Sequence, residues 1–339
     1  MTAAPRTGRD SRDSAARALT VAMRLLPPDQ RDWGTAMRAE LDALAEHDER
    51  RRFAAGCVAA VATRPAVWRR VGYALLPVAI VAYVALWSAG IDWAPRRWGV
   101  VVFAVVLAAV AELGVVGPLG PVARSRSARF TRACGYLLVG VLAVELDYSI
   151  AHKDSNDLTG VPVLSVVLAV YLAATLAITG RRAEATARSL LLGLTGGATA
   201  AVVWLAVVLL APPIPPGPGL AAALVAAGMT VAVLLAPRRA PMAALRAALV
   251  AGTTGALLIF NAVVLLSAIG PAELIPSLAP HALTPADRLA NSRIELVDPY
   301  LWLLLLGWFV AVAQWAAARS PAAPAVATPA PAVVAPSTS

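Results

Sequence analysis

The sequence predicts an all-α fold: a polytopic membrane helix bundle of about eight transmembrane helices, preceded by a small N-terminal cytoplasmic helical module. Three observations predict it. The 339 residues are 59% hydrophobic and 14% charged, with a mean hydropathy of +0.70, whereas soluble domains carry about 25% charged residues. The apolar residues gather into segments long enough to cross a ~30 Å hydrocarbon layer at ~1.5 Å per residue. Arginine clusters recur at every second gap between these segments: Arg124/Arg126/Arg129/Arg132, then Arg181/Arg182/Arg188, then Arg238/Arg239/Arg246. Retained loops carry the excess of positive charge, so these gaps are expected on the cytoplasmic side.

Residues 1–13 are polar and arginine-rich and read as disordered. The module follows, over 14–64, as three short amphipathic stripes. Leu19, Ala22, Met23 and Leu26 precede Pro27-Pro28; Trp33, Met37, Leu41 and Leu44 form the second stripe; Phe53, Cys57, Ala60 and Val61 form the third, which Pro65 stops. Isolated helices of this length are marginal in water, so the three are expected to pack together or lie against the membrane. Trp68, Arg69 and Arg70 then mark an interface before the first crossing.

The bundle is expected over 65–319, with spans at 71–90, 99–118, 133–152, 161–180, 189–211, 219–236, 246–269 and 299–318. The even number of crossings and the arginine pattern place both termini in the cytoplasm of a bacterial cell membrane. With no compact apolar h-region in the first 70 residues, the first span is expected to act as an uncleaved anchor. Between 270 and 299 lies the one sizeable outer loop. Within it, Thr284-Pro285-Ala286-Asp287 has the form of a helix start: a threonine cap, proline at the first helical position and an acid near the positive end of the dipole. A short helix through Leu289, Ile294 and Leu296 follows, and Tyr300 and Trp302 mark the interface of the last span. The Ala/Pro-rich tail, 320–339, reads as disordered.

An internal echo links Arg188 and its following Leu-Leu-Leu-Gly-Leu-Thr-Gly-Gly to Arg246 and its following Ala-Ala-Leu-Val-Ala-Gly-Thr-Thr-Gly. A parallel duplication of helical hairpins would produce it, and so would low-complexity apolar sequence. Gly193 with Gly197, and Gly252 with Gly255, read as close helix packing.

Ionisable groups inside spans are the first place to look for function, because a charge at mid-bilayer costs at least ~2.5 kcal/mol. Three stand out: Glu112, Glu145 and Asp147. One reading is a carboxylate ladder for protons or a cation, with Glu112 and Glu145 as steps roughly 9 Å apart in depth. The other is structural, with Glu112 hydrogen-bonded between helices and Asp147 solvated near the outer interface. No intramembrane arginine or lysine partner is visible from the sequence. Asn261 reads as an interhelical hydrogen-bonding group. The two cysteines, Cys57 and Cys134, and the three histidines, His47, His152 and His281, have no metal-ligand spacing, so no metal and no cofactor is expected. Catalytic motifs such as G-x-S-x-G, H-E-x-x-H or a glycine-rich phosphate loop followed by lysine are missing, and a non-enzyme is expected. The net charge of +9 is spread over short loops, which suits lipid headgroups and excludes nucleic acid as the expected partner.

The segment from Trp33 through Met37, Glu40 and Leu41, followed by Arg52-Phe53-Ala-Ala-Gly56-Cys57, resembles the amino-terminal helical region of a group of uncharacterised actinobacterial multi-pass membrane proteins. The stretch Ser292-Arg293-Ile294 to Asp298-Pro299-Tyr300 is similar to the same group. More distantly, the first segment is similar to the prefix domains that precede some bacterial permeases. The resemblance implies a cytoplasmic docking or regulatory module, with Trp33, Met37, Glu40, Leu41 and Phe53 as candidates for contact with a cytoplasmic protein or transporter subunit. Two functions therefore stand as expectations: a non-enzymatic regulatory, sensor or anchoring protein, and a proton-coupled transporter or permease subunit of small solutes or ions that uses Glu112 and Glu145.

Overall fold

The computed structural model describes residues 7–26, 30–115, 119, 122–152, 158, 160–210, 217–237, 240–275 and 284–320. Residues 1–6 and 321–339, at the two ends expected to be disordered, lie outside the described residues. The chain divides into two compact units, Met1–Leu86 and Trp87–Ser339. The division falls beyond the sequence-based boundary at 64/65 and places most of the first span with the amino-terminal helices.

The first unit holds α1 (Thr7–Leu25), α2 (Arg31–Ala43), α3 (His47–Ala62) and most of α4 (Pro65–Ser88). Helix α1 begins at Thr7, within the stretch expected to be disordered. Growth from an existing nucleus costs far less than nucleation, and the buried residues from Ala15 onward supply that nucleus. The three stripes meet in one interior: Ala15, Leu19, Met37, Leu41, Ala54 and Cys57 are buried together, with Met23, Trp33 and Phe53 packed against them. A second cluster, Ala22, Leu26, Val61 and Val67, brings in the start of α4. Ala60 is exposed, and Ala54 takes the interior place expected for it. Arg50 donates to the carbonyls of Leu41 at 2.6 Å and Leu44 at 3.0 Å, closing the carboxyl end of α2. The Arg64 guanidinium lies 4.0 Å from the centre of the Trp33 ring and donates to Gln30 at 2.8 Å. Pro65 opens α4, where its missing N–H costs nothing. Beyond Val71 the exposed side chains of α4 are mostly apolar, including Leu75, Leu76, Val78, Ile80 and Tyr83. A surface of that kind belongs in lipid.

The second unit holds α5 (Ala94–Val115), α6 (Arg126–His152), α7 (Gly160–Thr179), α8 (Ala187–Leu210), α9 (Pro218–Leu235), α10 (Pro241–Ile269), α11 (Pro285–Val297) and α12 (Leu301–Ala317). Among the described residues eight helical segments are long and apolar enough to cross a membrane, and the chain is an all-α polytopic bundle. All eight overlap the expected spans. Four start early: α4, α5, α6 and α10 begin five to seven residues ahead of expectation, and in α4, α5 and α6 arginines expected before the span lie within the first two turns. Arginine is a good helix former, and its long stem lets the charge reach a polar region from within a span.

Helices α6, α7, α12 and α10 contact one another in a ring, α5 packs on α6 and α7, and α8 and α9 pack on α10. Helix α10 is the most buried span. Its contacts with α8 run backbone to backbone. A Cβ added at Gly193 would lie 2.5 Å from Val250 Cβ, and one at Gly197 would lie 2.7 Å from the Ala251 carbonyl. The two helices run parallel, since each step of one turn on α8 matches a turn on α10. Gly193, Gly197 and Gly255 thus act as their spacing predicts: without large side chains, the helices approach closely enough to gain dispersion energy that lipid does not supply. Gly252 makes room instead for Met229 of α9 and Val310 of α12.

At the end of the bundle opposite the arginine clusters, Thr284 caps α11, accepting from the Asp287 backbone N–H at 3.1 Å. Arg293 of α11 donates to the carbonyls of Ser267 and Gly270, closing the carboxyl end of α10. Tyr300 is fully buried against Trp204, whose indole N–H donates to the phenol at 3.0 Å.

Candidate functional site

The polar groups of the bundle fall into three places. The first lies where α5, α6 and α7 meet. Arg132, seven residues into α6, donates from Nε to Thr179 Oγ1 at 2.9 Å and from Nη2 to the Leu176 carbonyl at 2.9 Å, both at the carboxyl end of α7. Its Nη1 faces the Gly114 carbonyl near the end of α5 at 3.4 Å. Helix carboxyl ends carry partial negative charge and unsatisfied carbonyls, and a guanidinium answers both. Close approach brings it there: a Cβ on Gly135, three residues further, would lie 2.4 Å from Thr175 Cγ2.

Glu112 belongs to this place. It is half-buried, and its Oε1 is shielded from solvent with no hydrogen-bond partner among the described residues. The Tyr136 phenol lies within electrostatic reach of both Arg132 and Glu112. Arg132 and Glu112 thus share a neighbour in Tyr136. In sequence Arg132 groups with a loop cluster, but it lies in the second turn of a span.

Glu145 and Asp147 stand elsewhere. Glu145 lies nine residues beyond Tyr136 on α6, about 14 Å along the axis. It is half-buried, and among the described residues no hydrogen bond or ion pair joins it to Glu112. Asp147 is also half-buried, with Oδ1 out of solvent and without a partner among the described residues. The three acids are separate groups at different depths, and the geometry brings none of them together.

The third place is Asn261 in α10. Its amide donates to the Leu257 carbonyl at 2.8 Å and, across to α6, to the Leu138 carbonyl at 3.3 Å. This is the interhelical contact expected of it. Its Oδ1 remains buried and unpartnered. Nearby hydroxyls close the ring: Tyr171 donates to the Leu304 carbonyl at 2.7 Å, and Thr253 Oγ1 lies 2.6 Å from Gln314 Oε1. Tyr171 fills the space that Gly307 leaves, since a Cβ there would lie 2.0 Å from its hydroxyl. The centre of the ring is packed side chain.

The amino-terminal candidates divide by exposure. Met37 at 5% and Leu41 at 1% are interior residues, so they hold the module together and offer a partner nothing. Trp33 and Phe53 are half-buried, and Glu40 is exposed. An amphipathic stripe cannot by itself tell a partner from the neighbouring helix. Cys57 lies in the same interior, where burial and then Glu40 push its thiol above the ordinary value of 9.0. Among the described residues no group of histidine, cysteine and carboxylate side chains is arranged to hold a metal ion.

Fold and site together define the class: a polytopic helical membrane protein with a separately cored helical unit at its amino terminus. No protein-family model, curated protein or solved structure matches the chain.

Proposed function

We propose that the protein is a non-enzymatic multi-pass protein of the bacterial cytoplasmic membrane, with both termini cytoplasmic, whose three-helix module binds a cytoplasmic protein while the spans serve as anchor or sensor. The observation that carries this reading is the module itself. It has its own apolar interior and keeps its charges outside, with Glu40, Asp42, Glu46, Asp48 and Glu49 all exposed around the α2–α3 turn. The packed centre of the bundle, built on Tyr171 and Gly307, supports the same reading. So does the resemblance of the Trp33-to-Cys57 segment to modules that precede membrane bodies. The contact surface is then the polar one around Glu40 with the edges of Trp33 and Phe53, and not the Met37–Leu41 stripe.

The test places a photo-crosslinking residue at Glu40 or at Leu41 in the full chain in living cells. A discrete adduct from position 40 and none from 41 is the expected result; no adduct from either in cells that express the chain natively sinks the docking role. Single cysteines at 40 and 126, in a C57S/C134S background, should resist a membrane-impermeant maleimide until the cells are opened. Labelling of intact cells would reverse the orientation.

A second reading, proton-coupled transport of a small solute or ion, is favoured by the unpartnered buried oxygens of Glu112 and Asp147. Loss of proton-coupled uptake into vesicles in E112Q or E145Q would support it, and unchanged flux would end it.

A further inference from the structure

Arg246, at 6% exposure, is the one buried arginine among the residues whose side chains are described, and its Nε has no hydrogen-bond partner among them. Its position is electrostatically poor. It lies in the second turn of α10, near the positive end of that helix dipole, where cations are disfavoured. The parallel register of α8 and α10, with Gly193 opposite Ala247 and Val250, sets Ser189 level with the Ala243–Arg246 turn. The amino-terminal end of α8 therefore adds a second positive dipole at the same level. Thr186 caps α8 through its hydroxyl, accepting from the Ser189 N–H at 3.2 Å, and supplies no charge.

A cation held against desolvation and two helix dipoles needs an anion. The acid within electrostatic reach is Glu184, in the turn between α7 and α8, and it is a poor fixed partner. Glu184 is exposed, no ion pair under 4 Å joins it to Arg246 among the described residues, and it sits at φ 48°, a left-handed backbone that is uncommon for residues other than glycine. Around it Arg181, Arg182 and Arg188 are exposed. A buried guanidinium beside two helix amino-terminal ends, with exposed arginines in the turn between α7 and α8, fits a phosphate ester, whose oxygens take two parallel guanidinium N–H bonds.

We propose that the α7–α8 turn and the start of α10 form a phosphate-binding site with Arg246 as its cation, and that the negative charge of nearby Glu184 opposes entry of the phosphate. The source of the phosphate is an anionic lipid headgroup or a free anion, and the two are separable by experiment.

The full-length protein in nanodiscs of phosphatidylcholine is titrated with phosphatidylglycerol and, separately, with inorganic phosphate, and binding is read by bound-lipid stoichiometry in native mass spectrometry and by the unfolding midpoint. Saturable binding of phosphatidylglycerol alone supports the site with a lipid ligand; saturation by inorganic phosphate as well supports it with a soluble one. R246Q should weaken binding more than tenfold. Because R246Q can also fail to fold, E184Q decides the matter by sign: removing the opposing charge should tighten binding about three- to fivefold, the size of one exposed charge interaction. An E184Q protein that binds no more tightly, or a wild-type protein that saturates with neither probe, overturns the proposal and leaves Arg246 and Glu184 a structural pair.

Discussion

In α1–α3, the three-helix module, apolar side chains point mostly inward and charges outward; in the spans, apolar side chains cover the interior and the exterior alike. Leu19 and Leu41 are buried at 1% while Glu40 is exposed. In the bundle Leu137, Val144, Leu234 and Phe309 are exposed, and the interior is marked instead by glycine, alanine and hydrogen-bonded hydroxyls such as those of Tyr171 and Thr253. With water outside, hydrophobicity sorts residues between surface and core. With lipid outside it sorts nothing, and close approach and polar contacts take over. Arginine behaves alike in both: Arg50 in the first unit and Arg132 and Arg293 in the second each close the carboxyl end of a helix.

The comparison predicts opposite signs for enlarging a glycine at a helix contact of the bundle and one on the exposed face of the module. The largest effect belongs to Gly307→Leu. Even a Cβ there would lie 2.0 Å from the Tyr171 hydroxyl and 2.5 Å from Ala256 Cβ, and both neighbours are fully enclosed. Loss of more than about 3 kcal/mol is expected, seen as failure to elute as a single species in detergent. A monodisperse G307L protein with an unchanged unfolding midpoint would show that α12 is not seated as described.

Next comes Leu41→Ala, which leaves a cavity in the small water-facing core and should cost about 3 kcal/mol. The unfolding signal of Trp33 should shift down while the bundle transition holds its place, because the two units have separate interiors. Arg132→Met follows. It strips the Leu176 carbonyl and Thr179 of their charged donor, and about 2 kcal/mol is expected, read as a lower midpoint of the bundle transition alone. Lysine at that position should recover only part of it, because an ammonium lacks the fork that spans three acceptors.

The eight spans were legible because an uninterrupted apolar run of that length has little use outside a bilayer, and the Thr284 cap because its chemistry is local: a hydroxyl and an amide three residues apart. Asn261 was legible for a similar reason, as an amide in a span must find a partner in a neighbouring helix. Arg132 was not. Adjacent to Arg124, Arg126 and Arg129 in sequence, it reads as part of a loop, and only the start of α6 at Arg126 places it inside a span. Its spacing held a signal, since it falls nearly two turns beyond that start. Met37 and Leu41 mislead for the converse reason: their period is right, but period says that a face is covered and not by what.

The glycine comparison is completed by Gly56→Ala in α3, where nothing lies within 4 Å of the added Cβ. Alanine there restricts the unfolded chain and collides with nothing, so a gain of about 1 kcal/mol is expected. A fall in the midpoint would mean that the exposed face of α3 is already covered.

The smallest effect is one of pH, and it is confined to the three-helix module. Burial and Glu40 hold the Cys57 thiol above its ordinary value of 9.0 when the module is folded, so the unfolded chain releases that proton first as the pH rises. The contribution is therefore fully present below about pH 9 and is lost as the pH climbs through the folded value. Other groups titrate in the same range, and the difference between wild type and C57A isolates this one: the module's midpoint should fall more steeply above pH 9 in wild type. E40Q should remove part of that excess slope and leave the larger part, because burial is the first cause. Equal slopes in wild type and C57A would place the thiol in water and contradict the interior position that makes the module a separate folding unit.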